Sequence, residues 1–300
     1  MNVTVRIAAA GVLALSMALS TALDSFEPAA EWPRDGAFHV VTADLHVHAF
    51  PGDGGLPPWD IRREARRRGI DVVAISNHNH AIALQIDRAL FTPPRRPLVL
   101  AAEETTSTRY HLVSLGIRES VDWRLSLPDA IRAVHAQGGV AIAAHPVDGY
   151  GPFDDDVVKM LDGLEVAHPE GHYDTQARAQ LEALYERARR VKPTIAPIGS
   201  SDYHFGAPIG FSHTRLLVRD LSAEGVLDAI RAGRAVAYAP GGRIYGSADW
   251  VDAVSKTSGD VPRDVDSAGH NLAMIAAWLS LVILVVFGGR QPGSDPDLLT

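Results

Sequence analysis

The chain has 300 residues, 46% of them hydrophobic, and a formal charge of -8 at neutral pH. That apolar content excludes disorder for most of the chain, and an acidic balance without clustered Lys and Arg argues against duplex DNA or RNA as a partner. No cysteine is present, so disulfides and thiolate metal sites are excluded and any metal must be held by nitrogen and oxygen.

Residues 1–22 carry one positive charge at Arg6, an apolar run over 7–19, and then Ser20-Thr21-Ala22, the small-x-small form of a signal-peptidase site. They read as a signal peptide or an uncleaved N-terminal anchor. Residues 38–240 alternate short apolar strands with helix-period segments, the signature of βαβ units around a parallel sheet or barrel. Strands are predicted over 39–47, 72–76, 98–102, 140–144, 163–166, 194–198 and 215–218. Helices are predicted over 59–68, 81–90, 127–137, 175–190 and 223–231, with Ser126 and Ser222 as N-caps and Gly138 and Gly233 near the ends. Residues 241–269 are rich in Gly, Ser and Asp and read as a polar tether. Residues 272–289 form an uncharged run of the length needed to cross roughly 30 Å of hydrocarbon and are expected to be a transmembrane helix. Arg290 after it puts the 290–300 tail in the cytoplasm and the catalytic portion outside, in a periplasm or at a cell surface.

Five segments stop apolar runs with metal-competent groups. The first is Asp44-Leu45-His46-Val47-His48, followed after a Gly-Pro loop by Asp53. Strand alternation places Asp44, His46 and His48 on one face. The second is Asn77-His78-Asn79-His80, the third Glu103-Glu104-Thr105-Thr106 followed by His111, the fourth Ala144-His145-Pro146, and the fifth Ser201-Asp202-Tyr203-His204. Mixed imidazole and carboxylate shells suit Mn²⁺, Fe²⁺ or Zn²⁺, and about nine candidate ligands accommodate two or three divalent ions. A doubly wound sheet has the same local pattern, but the Gly-rich phosphate turn expected after its first strand is missing. Groups converging from many strand ends favour a barrel mouth.

In their order, these five motifs resemble the PHP family, named for polymerase and histidinol phosphatase, over about residues 43–238. The resemblance implies a distorted (β/α)7 barrel with a trinuclear site at its C-terminal face. It implies that His46, His48, Asp202 and a bridging Glu104 hold one ion, that Glu104, His111 and His145 hold a second, and that Asp53, His78 and His204 hold the third. Glu103 competes for the bridge, but Glu104 shares a strand face with Ala102. Asn77 stands where the family often has Asp, which is expected to weaken orientation of the neighbouring imidazole. His168, His172 and Arg109 are candidate substrate contacts, while His135, His39 and His213 read as structural.

Such a site implies a hydrolase whose nucleophile is a metal-activated hydroxide. A small anionic phosphoester is the favoured substrate. The alternatives are a carboxylesterase or amidase resembling the carbaryl-hydrolase-like branch of the family, and a metal-dependent binding module without turnover.

Overall fold

The computed structural model describes residues 3–23, 33–82, 85, 96–147, 149–205, 207–257 and 268–288. The chain divides into two compact units, one made of residues 1–27 and 264–300 and the other of residues 28–263.

The larger unit is built on one sheet in the order β11-β10-β9-β2-β3-β4-β5-β6-β7-β8, with β1 (Arg34–Asp35) pairing β2. Its strands are β2 (Phe38–Val47), β3 (Val72–Ile75), β4 (Leu98–Thr106), β5 (His111–Leu115), β6 (Val140–Ala143), β7 (Gly163–Ala167), β8 (Ala196–Gly199), β9 (His213–Val218), β10 (Ala235–Ala239) and β11 (Arg243–Tyr245). The sheet curls until β8 meets β9. Closure there uses a side chain: Thr214 Oγ1 donates to the Gly199 carbonyl and accepts from the Gly199 N–H, each at 2.9 Å. A Cβ at Gly199 would lie 2.4 Å from the His213 carbonyl oxygen, so the seam admits only glycine.

Valine, leucine, isoleucine and alanine from the inner face of the strands fill the barrel. Val41, Ala43, Leu45, Ala74, Leu100, Val113, Ile142 and Ile198 belong to one buried cluster, to which α7 (Ala223–Arg231) adds Val226, Leu227 and Ile230. A second layer packs α3 (Leu127–Ala136) and α4 (Asp155–Met160) over β5 to β7, together with α6 (Thr175–Val191), which follows the short α5 (Pro169–Tyr173). Helix α2 (Pro58–Arg68) covers β2 and β3 through Ile61 and Ala65. Ser126 and Ser222 cap α3 and α7 as expected, accepting from the N–H groups of Asp129 and Gly225.

The barrel is less regular than successive βαβ units would make it. β4 runs four residues beyond its predicted end and turns back antiparallel into β5, which in turn pairs antiparallel with β6. Glu103 to Thr106 look like a loop in sequence because a strand end that faces a polar pocket loses its apolar signature. β9 likewise runs antiparallel to β2. The predicted tether is also corrected in its first part. Residues 243–245 form β11 on the sheet edge, and α8 (Ala248–Ser255) buries Ala253 and Val254 against β2, β9 and β10. Trp250, Val251 and Val254 recur at helical spacing inside a run whose overall composition is polar. Residues 258–267, and most of the helix predicted over 81–90, lie outside the described residues.

In the smaller unit α1 (Val3–Leu23) and α9 (Ala268–Gly288) pack on each other. The expected membrane anchoring is corrected: among the described residues no helix is long and apolar enough to cross a membrane. His270 and Asn271 occupy the first turn of α9, so the helix is polar where it begins. In α1, Arg6, Ser16, Ser20 and Thr21 interrupt the apolar pattern. The extracytoplasmic placement of the catalytic portion rested on that span and falls with it. Gly289, Arg290 and the tail lie outside the described residues.

Leu45 is fully buried inside the barrel next to the first motif. Leu45→Ala is expected to cost about 2–5 kcal/mol in urea unfolding. A loss well under about 1 kcal/mol would show that the barrel interior is not the stabilising core.

Candidate metal centre

All nine residues expected to hold metal meet in one pocket at the mouth of the barrel. A bulge in β2 aims the first motif. Asp44 pairs with Val73 and Val47 with Ile75, so Leu45 and His46 together oppose the single Ala74. Strict alternation is broken there, and a correction follows for Asp44. It turns away from His46 and His48, and its fully buried carboxylate accepts from the N–H groups of Ser201 at 3.0 Å and Gly210 at 2.7 Å. Burial pushes its pKa up to about 6, against these hydrogen bonds. Asp44 therefore holds the segment that carries Asp202 and His204.

Glu104 is the hub. Its Oε1 lies 2.7 Å from His111 Nδ1 and 3.2 Å from His145 Nε2, and its Oε2 lies 2.8 Å from His78 Nδ1, 3.3 Å from His46 Nε2 and 3.4 Å from His48 Nε2. Glu103 points to the other face, where it accepts from Val121 N–H and the Thr105 hydroxyl. Asp202 Oδ1 stands 3.2 Å from His46 Nε2 and 3.1 Å from His48 Nε2. At the rim, Asp53 reaches His48 Nδ1, His78 Nε2 and His204 Nε2 at 3.1–3.2 Å. The loop carrying Asp53 folds tightly over the strand end: a Cβ on Gly54 would sit 2.0 Å from the His48 carbonyl oxygen.

The grouping differs from the ligand sets that the resemblance implies. His48 joins Asp53, His78 and His204 as well as His46 and Asp202, while Glu104 gathers with His46 and His145. Asn77 does not orient His78. It bonds the Ala49 N–H and carbonyl and the Pro51 carbonyl, all at 2.8 Å, and His78 Nδ1 instead has Thr106 Oγ1 at 2.6 Å.

These groups fit divalent cations. Glu104 Oε2, Asp202 Oδ1, and Nδ1 of both His111 and His145 are buried and make no hydrogen bond, although charged or polar neighbours stand around them. His46 Nε2 and His48 Nε2 face each other at 3.1 Å. Lone pairs converging on a common space, without the angles of hydrogen bonds, are the arrangement a cation satisfies. Burial would push His46 down, but the carboxylates of Asp202, Glu165 and Glu104 hold its pKa well above the ordinary value. His48 and His145 are raised against burial in the same way, chiefly by Asp202 and Glu104 for the first and by Glu104 for the second. Burial would raise Glu104 and Asp202, and His46 above all keeps both well below the usual carboxylate range.

His168 stands apart. Its Nε2 lies 3.4 Å from Asp202 Oδ2 and its ring 4.9 Å from that of His145. Proximity alone would make it a ligand with His145 and Asp202, but its Nδ1 accepts from Glu170 N–H as the N-cap of α5. The proton is then on Nε2, where it faces the Asp202 carboxylate. The other two candidate substrate contacts are not brought to the pocket. Arg109 is exposed on the β4–β5 turn, and His172 is exposed and packs edge-on against Phe211. Sequence reasoning missed Glu165, which binds His46, and Tyr150, whose ring lies 4.4 Å from that of His111. A lone acid within the apolar run Gly-Leu-Glu-Val-Ala was the available signal for Glu165.

No family model matches the chain. It is 32% identical over 141 residues to the uncharacterized protein MJ1587 of Methanocaldococcus jannaschii, covering 41% of this chain and 80% of that protein. The fold is similar to a two-domain Bacteroides vulgatus protein described as containing a predicted PHP-like metal-dependent phosphoesterase, with TM-score 0.58 and 17% identity over 78% of this chain and 74% of that one. It is also similar to PsfC from Pseudomonas syringae, with TM-score 0.50 and 16% identity over 73% of this chain and 96% of the other. The barrel and its cluster of His, Asp and Glu define a fold of the metal-dependent phosphoesterase type. The chain is thus a relative of that archaeal protein and has a PHP-like fold.

The raised imidazole pKa values set a sign. Without metal, the charge on His46, His48 and His145 contributes stability that is fully present below pH 6.5 and lost as the pH rises through their folded values. Cations take over that role once the imidazoles are neutral. The protein in EDTA is therefore expected to melt at lower temperature as the pH is raised from 6.5 to 9, and Mn²⁺ or Zn²⁺ is expected to restore the melting temperature most strongly at the upper end. Identical melting with EDTA and with metal at high pH would refute a cation site.

Proposed function

We propose that the protein is a metal-dependent hydrolase of small phosphoesters. The observation that carries this reading is the convergence of nine imidazoles and carboxylates around more than one potential ion position, beside a cleft of about 850 Å³. His46, His48, Asp202, Glu104, His111, His145, Asp53, His78 and His204 would hold two or three ions. Mn²⁺, Fe²⁺ or Zn²⁺ in such a site supplies Lewis acidity, lowering the pKa of water toward about 7 and neutralising charge on the substrate.

The chain's own groups supply the rest. The cleft runs from Asp202 and His204 past His168 to Tyr173 and Gln180, long enough to orient a leaving group against the pocket. His168 turns its Nε2 proton toward Asp202 and so steadies that carboxylate at the pocket's edge. Tyr150 walls the side next to His111 and His145, where its ring limits access of bulk water.

A carboxylesterase or amidase of the carbaryl-hydrolase-like kind is the second reading, and one observation favours it. The cleft is lined by Glu170 and Asp174, with no Lys or Arg among its lining residues, which suits an uncharged ester better than a highly charged anion.

With Mn²⁺ supplied, hydrolysis of p-nitrophenyl phosphate or bis-p-nitrophenyl phosphate is expected to exceed that of p-nitrophenyl acetate. Preference for the acetate would reverse the order of the two readings, and full metal occupancy without turnover of any of the three would favour a binding module. His46→Ala and Asp202→Ala are each expected to abolish turnover, whereas unchanged rates in either variant would remove the pocket from the chemistry.

A further inference from the structure

Glu165 lies in the middle of β7, almost wholly buried, among partners that are two histidines and a serine. Its Oε1 is 3.0 Å from His46 Nδ1 and accepts from the Ser200 hydroxyl, while its Oε2 accepts from the His145 N–H at 2.7 Å. One carboxylate thus touches the ligand-bearing ends of β2, β6 and β8. The strand geometry supports this aim: Glu165 pairs with Ile198 and Ala167 with Gly199, so Val166 is bulged out and Glu165 shares the inner face with Ile198.

Two consequences follow for neighbours. A carboxylate only accepts, so it fixes a proton on His46 Nδ1 and leaves the lone pair on Nε2, the atom that faces Glu104, His48 and Asp202. His145 carries a backbone φ of 25°, a conformation that a residue with a side chain adopts only when its surroundings impose it. The bond from its N–H to Glu165 is part of that imposition. Ser200, two residues before Asp202, is tied to the same oxygen that binds His46.

We propose that Glu165 is a positioning residue that presents His46 and His145 together to the ions, so that loading of the centre depends on a side chain that touches none of them. The proposal rests on the reading of the pocket as a cation site. Glu165→Gln keeps the volume but replaces an obligate acceptor with an amide that also donates, and Ser200→Ala leaves the carboxylate in place while removing one of its partners.

The test is metal binding by the full chain, read by elemental analysis after dialysis against Mn²⁺ or Zn²⁺ and by titration with the same ions. Glu165→Gln is expected to bind about 10- to 100-fold more weakly than wild type or to lose an equivalent of metal, and Ser200→Ala to lose less. Wild-type stoichiometry and affinity in Glu165→Gln would overturn the proposal while leaving the cation site intact. A wild-type chain that takes up no metal would overturn both. Should Glu165→Gln fail to fold by circular dichroism, the ¹⁵N shifts of His46 in the zinc-loaded wild type decide: a protonated Nδ1 with metal on Nε2 supports the proposal, and metal on Nδ1 refutes it.

Discussion

The structure is organised around a buried carboxylate that faces five imidazoles. Glu104 sits within 3.4 Å of ring nitrogens from His46, His48, His78, His111 and His145. Burying so many polar atoms is costly unless each is satisfied. In water-filled surroundings the groups would separate; here the barrel forbids it, since each is fixed at the end of a strand whose other residues are packed into the interior. The fold supplies the confinement, and a compact positive charge is what would resolve it.

Two further carboxylates keep that arrangement in register, and neither belongs to the cluster itself. Asp44 grips the backbone before Asp202, and Glu165 grips the backbone of His145 and the ring of His46. The backbones they hold include the left-handed conformations of Asp202, with φ 44°, and His145. Such conformations cost of order 1–3 kcal/mol each, and the buried hydrogen bonds next to them offset part of that cost. Strain at the ligands and acceptors behind them are two aspects of one design.

Much of this was legible in the sequence because the motifs coincide with strand ends. The barrel class follows from groups that converge from many strand ends, and the capped helices α3 and α7 and the preference for Glu104 over Glu103 from capping chemistry and alternation. What alternation could not anticipate was the bulge at Leu45 and His46, which separates Asp44 from the two imidazoles it adjoins in sequence. The β4–β5 hairpin was hidden because its inward residues are polar. Helix α8 was hidden because a short apolar stripe is diluted by its polar neighbours. Glu165 was invisible as a partner of His46 since the two lie 119 residues apart in the chain.

His48 presents one ring nitrogen to Asp53 and the other to Asp202 and Glu104. A neutral imidazole has a single lone pair to give, so the inner and outer groups compete for the same donor. The outer group keeps only Asp53, His78 and His204, at a rim where the Asp53 side chain is 44% exposed. The two groups are therefore coupled through one ring: the position of the His48 proton decides which of them has His48 as an electron-pair donor.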